Sequence, residues 1–181
     1  MPRHIAFLRA VNVGGRSVRM DALRAGFEAL GLARVETFIA SGNVIFDSPA
    51  RNLAALERRL EAQLLACFGF EIHTFVRRAA ELAEIIEHEA FDTAALAASN
   101  THVVGFMARA PDADALQAIA RFDSAVDRFH LHGRELYWLS RQKQSESTFS
   151  NAAFEKALRL RATFRGMSTL RRLAAKVAAS P

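Results

Sequence analysis

The chain holds one cysteine, one tryptophan, one tyrosine and four prolines in 181 residues. A single cysteine excludes an internal disulfide, so no cross-linked secreted scaffold is in play. Cys67 falls in register with Leu60 and Leu64 and reads as a small buried hydrophobe. No apolar run approaches the ~20 residues that cross a bilayer. The opening apolar stretch, residues 5–8, is shorter than the ~7–15 residues of a secretory signal core. These absences lead us to expect a cytoplasmic protein with no membrane contact. Also missing are the Walker A, G-x-G-x-x-G and G-x-S-x-G patterns, which removes the usual support for nucleotide and serine-hydrolase chemistry. No nucleophile–base pair or carboxylate pair is readable, so the sequence leans away from an enzyme, and it calls for no cofactor. His130 and His132 fall on one face of a strand, but no Cys/Asp/Glu/His cluster accompanies them, so no metal is expected.

What is present is an ordinary globular composition, 51% hydrophobic and 24% charged, enough for one or two cores. The net charge of +5 is unevenly spread. Residues 150–181 hold seven basic groups (Lys156, Arg159, Arg161, Arg165, Arg171, Arg172, Lys176) against Glu155, a net of +6. The remainder, with 17 basic and 18 acidic groups, is close to neutral. Such asymmetry points to partners rather than to fold.

Periodicity gives the element order. Residues 5–8 form a strand whose two faces, Ile5/Phe7 and Ala6/Leu8, are both apolar, so it needs cover on both sides. Met20, Leu23, Phe27 and Leu30 make a helix stripe that ends at Gly31. Residues 35–39 and 44–46 are strands around the tight turn Ser41-Gly42-Asn43. Leu53, Leu56, Leu60, Leu64 and Phe68 mark a long helix stopped at Gly69, and residues 70–76 form a fourth strand. The order β-α-β-β-α-β is the split β-α-β, or ferredoxin-like, pattern. It places strand one between strands three and four of an antiparallel sheet. Phe7, Phe38 and Phe46 are read as core, because no RNP-like run accompanies them.

After a linking helix (Leu82, Ile85, Ile86, with Glu81, Glu84, Glu87 and Glu89 exposed), residues 94–100 are loop or fraying helix. Residues 102–107 read as a strand. Pro111-Asp112 starts a helix with Leu116 and Ile119 inward. Residues 126–131 and 135–139 flank a hairpin at His132-Gly133-Arg134, and two closing helices surround Phe154/Leu158 and Leu170/Leu173/Val177. Strand, helix, strand, strand, helix recurs. The expectation is an α+β protein of two linked ferredoxin-like units, residues 1–78 and 79–181, with antiparallel sheets, the second unit degenerate and followed by C-terminal helices.

The first unit brings Arg9, Asn12, Gly14, Gly15, Arg16, Ser41, Gly42 and Asn43 to one end of its sheet, beside the start of the first helix. A glycine pair, a helix start and an Arg/Asn/Ser rim suit a phosphate or carboxylate. The expected function is therefore binding of a small anion or phosphometabolite. The alternative is docking of nucleic acid through the basic tail, where Arg165, Arg171 and Arg172 form a patch and Ser168 or Thr169 caps the last helix. A monomer or weak homodimer is expected.

Leu8-Arg9-Ala10-Val11-Asn12-Val13-Gly14-Gly15 resembles the L-R-G-I-N-V-G-G opening of a bacterial family called domain of unknown function 1697. Residues 38–44 resemble its Y-I-Q-S-G-N-V, and residues 163–170 resemble its T-T-R-N-W-N-T-V, with Gly166-Met167-Ser168 in place of Asn-Trp-Asn. The resemblance implies two linked ferredoxin-like parts in an intracellular bacterial protein and no assigned activity. It adds interest to Arg9, Asn12, Ser41, Asn43, Thr163, Arg165 and Thr169, which match its motifs.

Overall fold

A computed structural model describes residues 1–9, 11, 17–39, 42–147 and 149–179. Among them are eight strands and seven α-helices, arranged as two four-stranded antiparallel sheets in an α+β architecture. Compact units form from Met1–Glu84 with the chain from Leu173 onward, and from Ile85–Arg172.

The first unit runs β1 (Arg3–Leu8), α1 (Met20–Glu28), β2 (Ala33–Phe38), β3 (Asn43–Asp47), α2 (Leu53–Phe68) and β4 (Thr74–Arg78), leading into α3 (Ala79–Glu87). Its strand order is β2-β3-β1-β4, so β1 lies between β3 and β4 as the crossover rule requires. Asn52 caps α2 by accepting the Ala55 N–H, and Gly69, at φ +74°, closes it with its own N–H on the Leu65 carbonyl. The helices cover one face of the sheet. There Ala6, Leu8, Val44 and Phe46 meet Leu23, Phe27, Leu56, Leu60 and Leu64. Phe27 sets its ring edge-on to Phe46 at 5.4 Å. Ile5 and Phe7, on the other face, are also fully buried, as a strand apolar on both sides demands.

The outer side of β4 carries unusual chemistry. The N–H groups of Thr74, Val76 and Arg78 each donate to a carboxylate, on Glu61, Glu57 and Glu81 respectively, at 2.7–2.9 Å. Alternate amides of an edge strand point away from the sheet and need acceptors, and charged acceptors make the stronger bonds. Glu81 was expected on a solvated helix face; it is instead one of these acceptors. The strand also sits later than expected, at Thr74–Arg78 rather than residues 70–76. It runs on through Arg77, which pairs with Ile5 and is completely buried.

The second unit contains α4 (Thr93–Ala97), β5 (Thr101–Met107), α5 (Ala113–Ala120), β6 (Asp127–His132), β7 (Glu135–Ser140), α6 (Asn151–Leu158) and β8 (Ala162–Gly166), leading into α7 (Met167–Ala178). Its strand order, β6-β7-β5-β8, repeats that of the first unit. Strand β8 is the element that periodicity did not reveal, and it completes the β-α-β-β-α-β order. α7 already begins at Met167, so Ser168 and Thr169 lie in its first turn rather than capping it. In α5 the Asp112 cap, accepting the Ala115 N–H, sets a helical phase that buries Ala115 and Ile119. Leu116, expected inward, is exposed. Cys67, expected buried, is exposed in the last turn of α2, beyond Leu64, the last residue of that helix in the core.

The core of this unit is aromatic. Phe154 contacts the rings of Phe122, Phe149 and Phe164. Phe164 lies flat across Gly105, its cross-strand partner, where a Cβ would stand 2.6 Å from the ring. Only glycine fits under that ring. Trp138 donates its indole N–H to Asp127 at 2.8 Å.

Candidate functional site

Two places gather the polar residues. The first is the end of the first sheet. The Leu8 N–H donates to the Gly42 carbonyl at 2.7 Å, which joins the exit of β1 to the turn between β2 and β3. Gly42 sits at φ +76°, and a Cβ there would come within 2.9 Å of Val11 and 3.1 Å of Leu8. This glycine is fixed by both its backbone conformation and its crowding. The Arg9 N–H donates to the His73 carbonyl at 2.9 Å, leaving the Arg9 side chain half-buried at the same end. Asn43 is buried, and its amide donates to the Phe38 carbonyl at 3.2 Å, so it braces the turn. Asn12, Gly14, Gly15, Arg16 and Ser41 lie outside the described residues.

The second place is the face of the second sheet that turns away from α5 and α6. Register lays it out in rows. His132 stands opposite Glu135, which shares a face with Phe106 and Thr163. His130 stands opposite Tyr137, which shares a face with Val104 and Arg165. Thr163 and Arg165, both selected from the sequence, are brought together here. The Arg165 guanidinium donates to the Thr163 hydroxyl and to the Phe164 carbonyl, each at 2.9 Å. Arg165 is only 9% exposed, so it contributes no charge to a surface patch with Arg171 and Arg172. Burial brings its pKa down to about 10. Thr169 stands apart from them, half-buried on α7.

Arg77 on β4 repeats this arrangement in the first unit, donating to the carbonyl of the residue before it, Val76, at 2.9 Å. The reading of the sequence missed it. The signal was there, since Thr74-Phe75-Val76-Arg77 and Thr163-Phe164-Arg165 share a Thr-Phe start and a nearby arginine.

His88, which follows α3, was also missed. Its Nε2 lies 3.0 Å from Nε2 of His130, its ring stacks on His132 at 4.1 Å between centroids, and Tyr137 lies at 5.1 Å. Burial, then the neighbouring His132 and His130, lower the His88 pKa. Burial, then His132, lower that of His130. Tyr137 donates its hydroxyl to the Ile85 carbonyl at 3.0 Å, and burial, then Glu135, keep it protonated well above the usual phenol range. A cavity of about 260 Å³ adjoins this cluster, lined by His88, Phe91, Asp92, Leu96, His102 and Arg171 among others. Among the described residues, no group of three or more His, Cys, Asp or Glu side chains is placed to hold a metal ion, and no helix is long and apolar enough to cross a membrane.

A family model described as "Protein of unknown function (DUF1697)" matches residues 1–137. The chain belongs to this DUF1697 family. Among solved structures, this DUF1697 chain is similar to a conserved bacterial protein from Streptococcus pneumoniae. The two share 21% sequence identity at a TM-score of 0.71, over 96% of this chain and 97% of the other. At that identity the likeness is one of fold. No curated protein matches the DUF1697 chain.

Proposed function

We propose that this DUF1697 protein binds a small anionic ligand, a metabolite bearing phosphate or carboxylate, at the end of its first sheet. The observation that carries this reading is the Leu8–Gly42 hydrogen bond, which sets the β1 exit against the β2–β3 turn. Leu8 and Gly42, one from each of the two motifs, thus meet at one end of the sheet, with Arg9 next in sequence to Leu8. The helix that follows adds to the case. Arg19, at the start of α1, makes no side-chain capping bond and instead pairs with Asp21 at 2.6 Å. Asp21 also accepts the Ala22 N–H at 2.9 Å, and its pairing with Arg19 offsets its charge at the positive end of the helix dipole.

Thermal-shift measurements at fixed ionic strength test the reading, with inorganic phosphate, sugar phosphates and nucleotides as probes. A ligand that binds the folded state raises its stability by about 2.7 kcal/mol at one hundred times its Kd. The Tm of the wild type should rise with at least one probe, and that rise should shrink in an Arg9→Ala, Asn12→Ala variant. Equal shifts in both proteins, or none, would defeat it. Against the alternative, docking of nucleic acid through the basic tail, stands the engagement of two of its cations. Arg165 is buried, and Lys176 pairs with Glu36 at 2.7 Å.

A further inference from the structure

The cluster around His88 has a property that the proposed anion site does not use. Segment 86–92 rests on the second sheet through two aromatic rings, and both meet histidines. His88 meets His130, His132 and Tyr137. Phe91 sets its ring edge-on to His102 and His130, at 6.0 and 6.4 Å. The same segment lines the cavity of about 260 Å³. We propose that His88 and His130 form a proton-operated latch, which holds segment 86–92 on the sheet when neutral and frees it, opening the cavity, when they charge.

The chemistry follows from the 3.0 Å separation of the two Nε2 atoms. Two neutral imidazoles satisfy each other there, one ring giving N–H and the other a lone pair. A first added proton is tolerated, because the cationic ring still donates to its neutral partner. A second proton leaves two N–H donors facing each other with no acceptor between them, and the ring of His132 is stacked on His88. The pair therefore titrates as a unit.

The surrounding charges define the balance. On the segment itself stand Glu87, Glu89 and Asp92, the last of which caps α4 and lies 3.7 Å from Arg128 of β6. From β7, Glu135 stands opposite His132, and Tyr137 stays neutral. From β5 and α7, His102 and Arg171 line the cavity, and Arg171 opposes further positive charge. The shared Nε2 contact admits one proton and penalises the next. Burial and mutual repulsion keep His88 and His130 neutral below the usual imidazole range, so release belongs to mildly acidic conditions.

Hydrogen exchange of the full chain at about pH 7.5 and about pH 5, corrected for the intrinsic rate, is the test. Amides of segment 86–92 should lose at least about tenfold more protection in acid than amides of β5 and β7. A His130→Phe variant keeps a ring against Phe91 but cannot charge, and should lose most of that difference. Imidazole resonances of the wild type give a check that needs no variant: His88 and His130 should titrate in two linked steps about one pH unit or more apart. Protection that falls equally in the segment and the strands, a His130→Phe variant that behaves as wild type, or independent titrations of His88 and His130 would each overturn the latch.

Discussion

Among the described residues, Glu61, Glu57 and Glu81 of α2 and α3 accept from the outer side of β4 in the first unit, and in the second Glu155 of α6 accepts the Ala162 N–H of β8 at 2.9 Å. The first unit fills its core with aliphatic stripes from two helices, and the second fills its own with a cluster of phenylalanine rings around a glycine. Both reach the same strand order. The comparison teaches that topology is set by where apolar faces fall, while the means of satisfying the edge and the core can differ completely between the units.

The largest expected effect breaks the aromatic core. Phe154→Ala removes a fully buried ring and should cost about 3–5 kcal/mol, read from urea unfolding. Next come the two edges. Glu57→Ala strips a buried carboxylate from the Val76 N–H, a 2.7 Å bond, and should cost about 2–3 kcal/mol. Glu155→Ala, at the more exposed edge of the second unit, should cost about 1 kcal/mol. Equal losses would erase the contrast between the edges. Gly105→Ala should cost about 2 kcal/mol, because Phe164 must leave its place over the strand.

Acid sharpens the comparison further. His4 is fully buried, its Nδ1–H donating to the Pro2 carbonyl, and burial lowers its pKa below the ordinary 6.5. His88, His102 and His130 are lowered likewise in the second unit. In each case the unfolded chain takes up the proton first. Their stabilisation is complete above the ordinary value of 6.5 and is lost as pH falls through the folded values. With three such groups against one, protection in the second unit should fall off sooner on acidification than in the first, a difference that residue-resolved hydrogen exchange reads. The smallest effect belongs to Cys67→Ser, which should change stability by less than about 0.5 kcal/mol, since the thiol is exposed.

Much of the fold was legible from residue spacing. The stripes of α1 and α2, the Gly69 stop and the hairpin at Gly133 all follow from local rules that act within a few residues. The ends of β4 and the whole of β8 were not legible, and the reason is shared. Arg77 and Arg165 are buried strand residues, and a pattern reader takes arginine as a sign of solvent. Glu81 misled in the same way, since a carboxylate on a helix hides that it faces a strand's amide. Of the selected site residues, Arg9 and Asn43 share one end of the first sheet, and Thr163 and Arg165 share one face of the second. Asn43 and Arg165 prove to be braced by backbone carbonyls. The His88 cluster had no local signature. Its first ring stands 42 positions from its hydrogen-bond partner, and only the folded sheet brings them together.

The chain passes from the first unit to the second within α3 and returns within α7, so the first unit is discontinuous in sequence. Lys176, near the far end, pairs with Glu36 of β2. On the ribosome, which extends the chain from its N-terminus, every residue of the second unit emerges before that pair can form. The unit that begins first is thus the one completed last, and a nascent chain halted between β4 and α7 carries all four strands of the first sheet but lacks the unit's final helical piece.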